Sequence, residues 1–324
     1  MSKEPMLYGG QAIIKGVMMR SPRFFAVSCR RENGDITTRV ERVPIIKRPS
    51  FLRWPLFRGA MALVDAMNLG IRALLWSAGI AMEDTPPSTP KQQKEAEKMR
   101  KCASGAITDV AIGSSMVFGL GFGVFLFVIL PNVIAGWLEG HLTHKVFVLN
   151  AAEGIIKIVF FLAYVSLIGL MRNIREVFEY HGGEHRAINT FEAGESLTLD
   201  GTRQFGTLHV RCGTNFILIV LVLSIFVFAV LPWCSVLERV AMRLVLLPLV
   251  GGIAYEIIRF AGRHSGSGLV QAMLAPGLAL QRITTRSPSD DQVEVALASL
   301  RAVIDAEESG SQVSTNSAEL PASA

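Results

Sequence analysis

Residues 110–137 read VAIGSSMVFGLGFGVFLFVILPNVIAGW, a run of 28 residues without one charged side chain. An α-helix rises about 1.5 Å per residue, so this run can cross the roughly 30 Å hydrocarbon core of a bilayer with some tilt. The alternating glycines Gly119, Gly121 and Gly123 follow no predicted strand, which favours close helix packing over a dinucleotide-binding loop. The run therefore predicts a membrane-spanning helix.

Other parts of the chain have the same character. Of 324 residues, 50% are hydrophobic and 18% are charged, whereas soluble domains carry about a quarter charged residues. Further apolar runs at 146–171, 214–237 and 240–260 predict three more spans. We expect a mainly α-helical polytopic membrane protein with about four transmembrane helices, a small β-rich N-terminal region and amphipathic helices.

The N-terminal part, residues 1–50, contains two strand-like runs at 24–31 and 36–43. They flank Asn33 and Gly34, the strongest short-range hairpin signal. A turn and another strand are expected before them, in the stretch that contains Gly9 and Gly10. These patterns predict a small β-rich region that begins the chain.

The segments around the spans differ in composition. Residues 51–83 predict an amphipathic helix that rests on the membrane, because Asp65 and Arg72 disfavour a full span; a core helix of the soluble part is the alternative. The remaining segments are predicted to be a charged linker at 84–106, an amphipathic C-terminal region at 261–308 and a disordered tail at 309–324.

Basic residues flank the apolar runs and give the chain a net charge of +5. The positive-inside rule then places both termini and the 173–213 loop in the cytoplasm. Because these charges follow the membrane rather than aromatic stacking platforms, no nucleic-acid partner is expected. The first ten residues do not form a signal peptide, and the four cysteines show no disulfide framework. The expected partners are the bilayer, a second copy of the chain, and proteins docking on the N-terminal region and C-terminal helix.

The 173–213 loop carries the order H-x-x-E-H in His181, Glu184 and His185. Residues four apart share a helix face, so both histidines can bind one ion, with Glu184 placed to accept a proton from water. His209 and Cys212 follow just before the third apolar run, and imidazole and thiolate are both good zinc ligands. We expect a divalent metal, zinc, bound by His181, His185, His209 and Cys212.

Three interpretations of this loop stay open. A catalytic site would use Glu184 as base, with Glu256 near the end of the fourth run as another ligand or base. A structural site would have all four ligand positions filled. Without metal, the same side chains would form an interfacial hydrogen-bond network, and Glu256 would pair with Arg259 or a neighbouring helix. Gly182 and Gly183 lower helix propensity inside the motif, and the loop is too short for a complete metalloprotease domain.

Four separated motifs are similar to those of one family. They read YGGQAIIKGVM (8–18), YHGGEHRAINTFE (180–192), LHVRCGTNF (208–216), and PGLALQ followed by TTRSPSDDQVEV (276–295). The chain resembles, from about 7 to 305, the YqhQ-like family of bacterial polytopic membrane proteins. The resemblance implies a metal-dependent enzyme of undefined reaction, whose motif residues here are His181, Glu184, His185, His209 and Cys212. Lys15 stands where that family usually has a glutamate.

Two functions follow as expectations. The first is a bacterial inner-membrane protein with a cytoplasm-facing metal site and a metal-dependent hydrolase activity. The alternative is a non-enzymatic membrane scaffold, assembly factor or transport-related protein, in which the His/Cys/Glu loop is structural.

Overall fold

The computed structural model describes residues 8–44, 49–84, 114, 117–141, 145–232, 234–264 and 267–310. The predicted linker and the predicted disordered tail lie outside these residues, apart from their first positions. Within them the chain is mainly helical, with one small antiparallel sheet near its N-terminus. The predicted fold class is confirmed.

The sheet contains four antiparallel strands in the order β1-β2-β3-β4. The strands are β1 (Gly9–Ile13), β2 (Gly16–Arg20), β3 (Phe24–Arg30) and β4 (Ile36–Arg42). The predicted hairpin is β3-β4, and Gly34 in its turn has φ +91°, a conformation that glycine adopts without steric cost. The segment before the hairpin forms two strands, where one was expected.

One short 3₁₀ helix (Ser50–Arg53) and nine α-helices lie within the described residues. The α-helices are α1 (Phe57–Asp84), α2 (117–141), α3 (Val146–Ile168), α4 (Arg172–Glu192), α5 (Leu199–Thr202), α6 (Gly213–Ala229), α7 (Val236–Arg263), α8 (Gly268–Thr284) and α9 (Asp290–Ser309). A π-helical turn, Phe125–Ile129, interrupts α2. Capping boxes at Ser235 and Ser289 begin α7 and α9, because each serine and the residue three positions later satisfy each other's backbone N–H groups.

Four of these helices are long and apolar enough to cross a membrane: Phe57–Ala81, Val117–Glu139, Val146–Ile168 and Val236–Gly262. The number agrees with the prediction, but the set differs. The predicted third span at 214–237 is a shorter apolar helix of 17 residues that ends at Ala229. Pro232 follows this end, and the residue before a proline disfavours the helical conformation. Helix α1, predicted to rest on the membrane, also meets this criterion of length and composition.

Outside these apolar segments, the four-stranded sheet packs on α4 and α9. These elements together are called the sheet layer. Its core contains the following buried side chains: Val17, Met19, Phe24, Tyr180, Ile188, Val293, Val295, Leu297, Leu300 and Val303. The N-terminal and C-terminal regions, predicted as separate units, therefore share a hydrophobic core. Their apolar faces cover each other, and the docking of other proteins on these two regions stays a prediction.

Helix α1 connects this layer to the apolar bundle. Near its start, Arg58 donates a hydrogen bond to Glu256 of α7 over 2.6 Å. Further along α1, Leu69 and Ala73 pack against the opposite face of the sheet, beside Phe25. The side of α1 that faces away from the sheet leaves large apolar side chains exposed: Leu63, Val64, Met67, Leu74 and Leu75.

Candidate metal centre

Helix α4 runs unbroken through Gly182 and Gly183, despite the low helix propensity of glycine. The glycines are explained by a close crossing. A Cβ on Gly182 would lie 2.0 Å from the carbonyl oxygen of Arg286, and one on Gly183 would lie 3.4 Å from that of Gln292. The backbone N–H of Arg286 also donates to Phe178 O over 2.9 Å. These two positions thus let the segment between α8 and α9 pass directly over the H-x-x-E-H motif.

Three of the predicted ligands converge. His181 and His185 lie one turn apart on α4, and Cys212 is the N-cap residue of α6. One ligand atom from each of the three lies within 4.8 Å of the other two. The Cys212 Sγ is 3.3 Å from His181 Nε2. Zinc bonds of the usual lengths in a tetrahedron would separate the ligand atoms by about 3.3–3.6 Å, so the spacing suits one shared ion.

Backbone carbonyls orient both imidazole rings. The Nδ1 of His181 lies 2.9 Å from the Thr284 carbonyl oxygen, and the Nδ1 of His185 lies 2.6 Å from that of Thr207. A carbonyl only accepts, so each Nδ1 carries the proton and each Nε2 presents its lone pair. Burial also lowers the pKa of His185, which favours the neutral, ligand-competent ring.

Glu184 lies between the two imidazoles and is only 4% exposed. Its Oε2 is 3.8 Å from the Nε2 atoms of both His181 and His185. Burial raises the pKa of this carboxyl, while His181, His209 and a backbone hydrogen bond from Gly10 oppose the shift. An ionised carboxylate at this depth requires a nearby cation to offset its lost hydration.

His209 was predicted as the fourth ligand, but it is not part of the converging group in the described residues. Its ring centre is 5.7 Å from that of His185, and its Nε2 lies 3.4 Å from Glu192 Oε2. Arg211 pairs with the same carboxylate. Gln281 fixes the backbone of His209 by donating to its carbonyl oxygen over 2.8 Å and accepting from its N–H over 2.9 Å. His209 therefore lies at the rim, with a carboxylate partner of its own.

Glu256, predicted as a second ligand or base, is engaged elsewhere. Both of its carboxylate oxygens accept hydrogen bonds from the Arg58 guanidinium. This pair joins α7 to the start of α1, and it corresponds to the alternative in which Glu256 pairs with a neighbouring helix. Lys15, the departure from the family pattern, lies on the β1-β2 turn and pairs with Glu32.

Sequence reasoning missed the groups that support the site. Gly10 of β1 lies against Glu184, since a Cβ at that position would be 2.8 Å from Glu184 Cγ. The carbonyls of Thr207 and Thr284 are backbone groups, for which the side-chain pattern gives no signal. The only available indication was that Gly10 and Thr284 fall inside the stretches that resemble the YqhQ-like family.

Comparison with known proteins agrees with that resemblance. Residues 54–306 match a family described as "Protein of unknown function (DUF1385)". The "Uncharacterized protein YqhQ" of Bacillus subtilis (strain 168) is 30% identical over 311 residues, which cover 93% of each chain. No solved structure matches. The chain belongs to the DUF1385 family of YqhQ-like proteins.

Proposed function

We propose that this membrane protein binds one zinc ion through His181, His185 and Cys212 and uses it for hydrolysis at the cytoplasmic membrane surface. One observation carries the proposal: two imidazoles and a thiol lie within 4.8 Å of one another, and both rings are already oriented by backbone carbonyls. Outer hydrogen bonds of this kind are a regular feature of histidine metal ligands.

The charge of the cluster supports a divalent cation. A bound Cys212 is a thiolate, and it lies near the buried Glu184 carboxyl, so the two groups together can offset two positive charges. Among the described residues, the side chains that favour the charged form of Glu184 are His181 and His209. A metal ion would therefore remove the desolvation penalty that these groups otherwise carry.

The number of ligands favours catalysis. Catalytic zinc sites have three protein ligands and an open position, and the ion supplies Lewis acidity there. Glu184 Oε2 is 3.8 Å from both Nε2 atoms, slightly beyond the ligand spacing expected of a fourth donor. At this position Glu184 can accept a proton from a water molecule and then return it to a leaving group.

The second candidate is a structural site in a membrane scaffold. The observation in its favour is that Glu184 could close the coordination with a small shift, because it lies equally far from both histidines. The ion would then link α4 to the start of α6 and so attach the sheet layer to the bundle of apolar helices. His181 and Cys212 would serve this role as well as catalysis.

Replacing Glu184 by glutamine separates the two candidates. The variant should retain zinc but fail to complement a strain that lacks the protein, since an amide cannot accept the proton. Glu195→Gln, on the exposed loop after α4, is the matched control and should complement fully. Loss of zinc from Glu184→Gln would make Glu184 a ligand and favour the scaffold, and complementation with zinc retained would exclude the hydrolytic role.

A further inference from the structure

We propose that a second site, inside the bundle of α2, α3, α6 and α7, binds a phosphate-type oxyanion. It is separate from the metal centre, because it lies near the start of α3 and α7, whereas the metal centre follows the end of α3. Six polar side chains in it are at most 6% exposed: Asn132, Asn150, Glu153, Lys157, Arg239 and Arg243. All six lie in helices that are long and apolar enough to cross a membrane. The four ionisable side chains among them occupy positions where charges are costly and usually functional.

Cations outnumber anions in this cluster. Glu153 pairs with Lys157 over 2.7 Å and with Arg243 over 2.5 Å, so one carboxylate serves two cations. Arg239 lies one turn before Arg243 and interacts with Glu139 at the half-exposed rim. With all groups ionised, three cations face two carboxylates. An arginine does not lose its proton in proteins, so the two guanidinium charges persist whatever the state of Lys157.

Hydrogen bonding shows more directly what is missing. Arg243 donates from Nη2 to Asn150 Oδ1 over 2.9 Å, but its Nε and Nη1 are buried without a partner among the described residues. Asn132 accepts from Arg239 Nε over 3.1 Å, and its own Nδ2 donates to none of the residues described. Both Glu153 oxygens also make no hydrogen bond to the described residues, but each lies within 2.7 Å of a cation that it pairs with. The atoms left with neither a hydrogen bond nor an ion pair are N–H donors, which call for an acceptor.

The surroundings favour an oxyanion as that acceptor. The Phe228 ring lies 5.3 Å from Lys157 Nζ and 5.7 Å from Arg243 Cζ, so an apolar wall covers part of the cluster. A planar guanidinium fork beside an amide N–H matches the several acceptor oxygens of a phosphate group. A buried donor left without an acceptor costs about 1–3 kcal/mol, which an oxyanion would remove.

Two sources can supply this chemistry. Arg243 and Glu153 each lie two turns into their helices, about 10 Å from the helix start. This depth is within reach of the phosphate of a lipid headgroup drawn inward from one leaflet, and also of free phosphate that enters from the loop side. The two sources offer the same oxygens and differ only in the acyl chains.

Thermal unfolding of the purified full chain, in neutral detergent and phosphate-free buffer, tests the site. Saturating inorganic phosphate or phosphatidylglycerol should raise Tm by about 3–6 °C, whereas diacylglycerol, which has no phosphate, should not. If both inorganic phosphate and phosphatidylglycerol raise Tm, free phosphate is sufficient as the ligand. If the lipid alone raises Tm, the ligand is the lipid headgroup. No shift with either probe overturns the proposal and leaves a deprotonated Lys157 or a buried water as the balancing element.

Two variants locate the response. Asn132→Asp places a carboxylate among the donors, so it should supply the anion internally and abolish the Tm shift. Arg175→Gln removes an exposed guanidinium on α4 and should respond like the wild type. If Asn132→Asp shows the full wild-type shift, the anion binds elsewhere and the proposal is wrong.

Discussion

Gly10 of β1 lies directly against Glu184 of α4. A Cβ at position 10 would be 2.8 Å from Glu184 Cγ, 2.9 Å from its Oε1 and 2.7 Å from the carbonyl oxygen of Met18. The strand also contributes a backbone hydrogen bond to the same carboxyl. The N-terminal sheet thus forms one wall of the candidate metal centre, although Gly10 and Glu184 are some 170 residues apart in the sequence.

Gly10→Ala should therefore displace Glu184 while leaving the three ligand residues in place. We expect zinc content to be retained, or lowered slightly, and complementation to be strongly reduced. Gly9→Ala is the matched control, because a Cβ there meets nothing within 4 Å. Equal complementation by the two variants would show that the position of Glu184 does not matter for function.

Gly182→Ala should disrupt the crossing that orients His181. The added methyl would lie 2.0 Å from the Arg286 carbonyl oxygen, so the segment carrying Thr284 must move. We expect a loss of about 3 kcal/mol in stability, by analogy with overpacked cores, and release of zinc. Gly183→Ala, at 3.4 Å from its nearest neighbour, should cost much less. Thermal unfolding and metal content would measure both effects, and indistinguishable variants would contradict this account of the glycines.

Glu307→Ala should loosen α9 from the sheet. The buried Glu307 carboxylate accepts a hydrogen bond from Ser21 Oγ over 2.8 Å and one from Arg23 Nε over 2.8 Å. Because Arg23 is mostly exposed and the Ser21 hydroxyl can still donate to the Phe24 carbonyl oxygen over 3.1 Å, we expect a loss in stability of roughly 1 kcal/mol. Faster proteolysis within α9 would report the loosening. The exposed Glu308→Ala variant should behave like the wild type, and equal proteolysis of the two would contradict the assigned contact.

Both ends of α1 should lie on the same side of the membrane, despite its length and apolar composition. The sheet precedes α1, and Arg31 on the sheet pairs with Glu83 at the end of α1 over 3.2 Å. The same sheet packs on α4, which follows α3 directly. If α2 and α3 both cross the membrane, the start of α2 lies on the same side as the end of α3, which is the side of the sheet. Helix α1 then begins and ends on that side and does not cross.

Epitope tags tested in intact and permeabilised cells check this arrangement. Tags at the N-terminus, within 85–113 and at the C-terminus should be accessible only after permeabilisation, because the positive-inside rule predicts a cytoplasmic position for all three. A tag between α2 and α3 should be accessible in intact cells. A linker tag that is also accessible in intact cells would mean that α1 crosses.

Periodicity and apolar length predicted much of this architecture. The first apolar run and the Asn33-Gly34 turn depend on local physics. The described residues 117–137 of that run are helical, and the β3-β4 hairpin forms as predicted. The end of α6 at Ala229 was missed, because the 214–237 run is apolar on both sides of Pro232. Hydropathy alone does not register a break in helical backbone.

The candidate site was predicted in part. His181 and His185 were found because one helix fixes their spacing, and Cys212 because it precedes an apolar run. The sequence did not indicate the contacts of His209 and Glu256, since the carboxylate that engages His209 and the arginine that engages Glu256 come from other elements of the fold. The contribution of Gly10 depends on a tertiary contact between β1 and α4, which no local pattern contains.

The most direct test of the central claim is the metal content of purified protein, measured together with thermal unfolding to confirm that each variant is folded. We predict stoichiometric zinc in the wild type and its loss in His181→Ala, His185→Ala and Cys212→Ser. His209→Ala should retain zinc, as should His264→Ala, whose exposed ring forms a hydrogen bond with the Phe260 carbonyl oxygen of α7. Folded wild-type protein that binds no zinc, or His181→Ala that binds it as tightly as the wild type, would contradict the account.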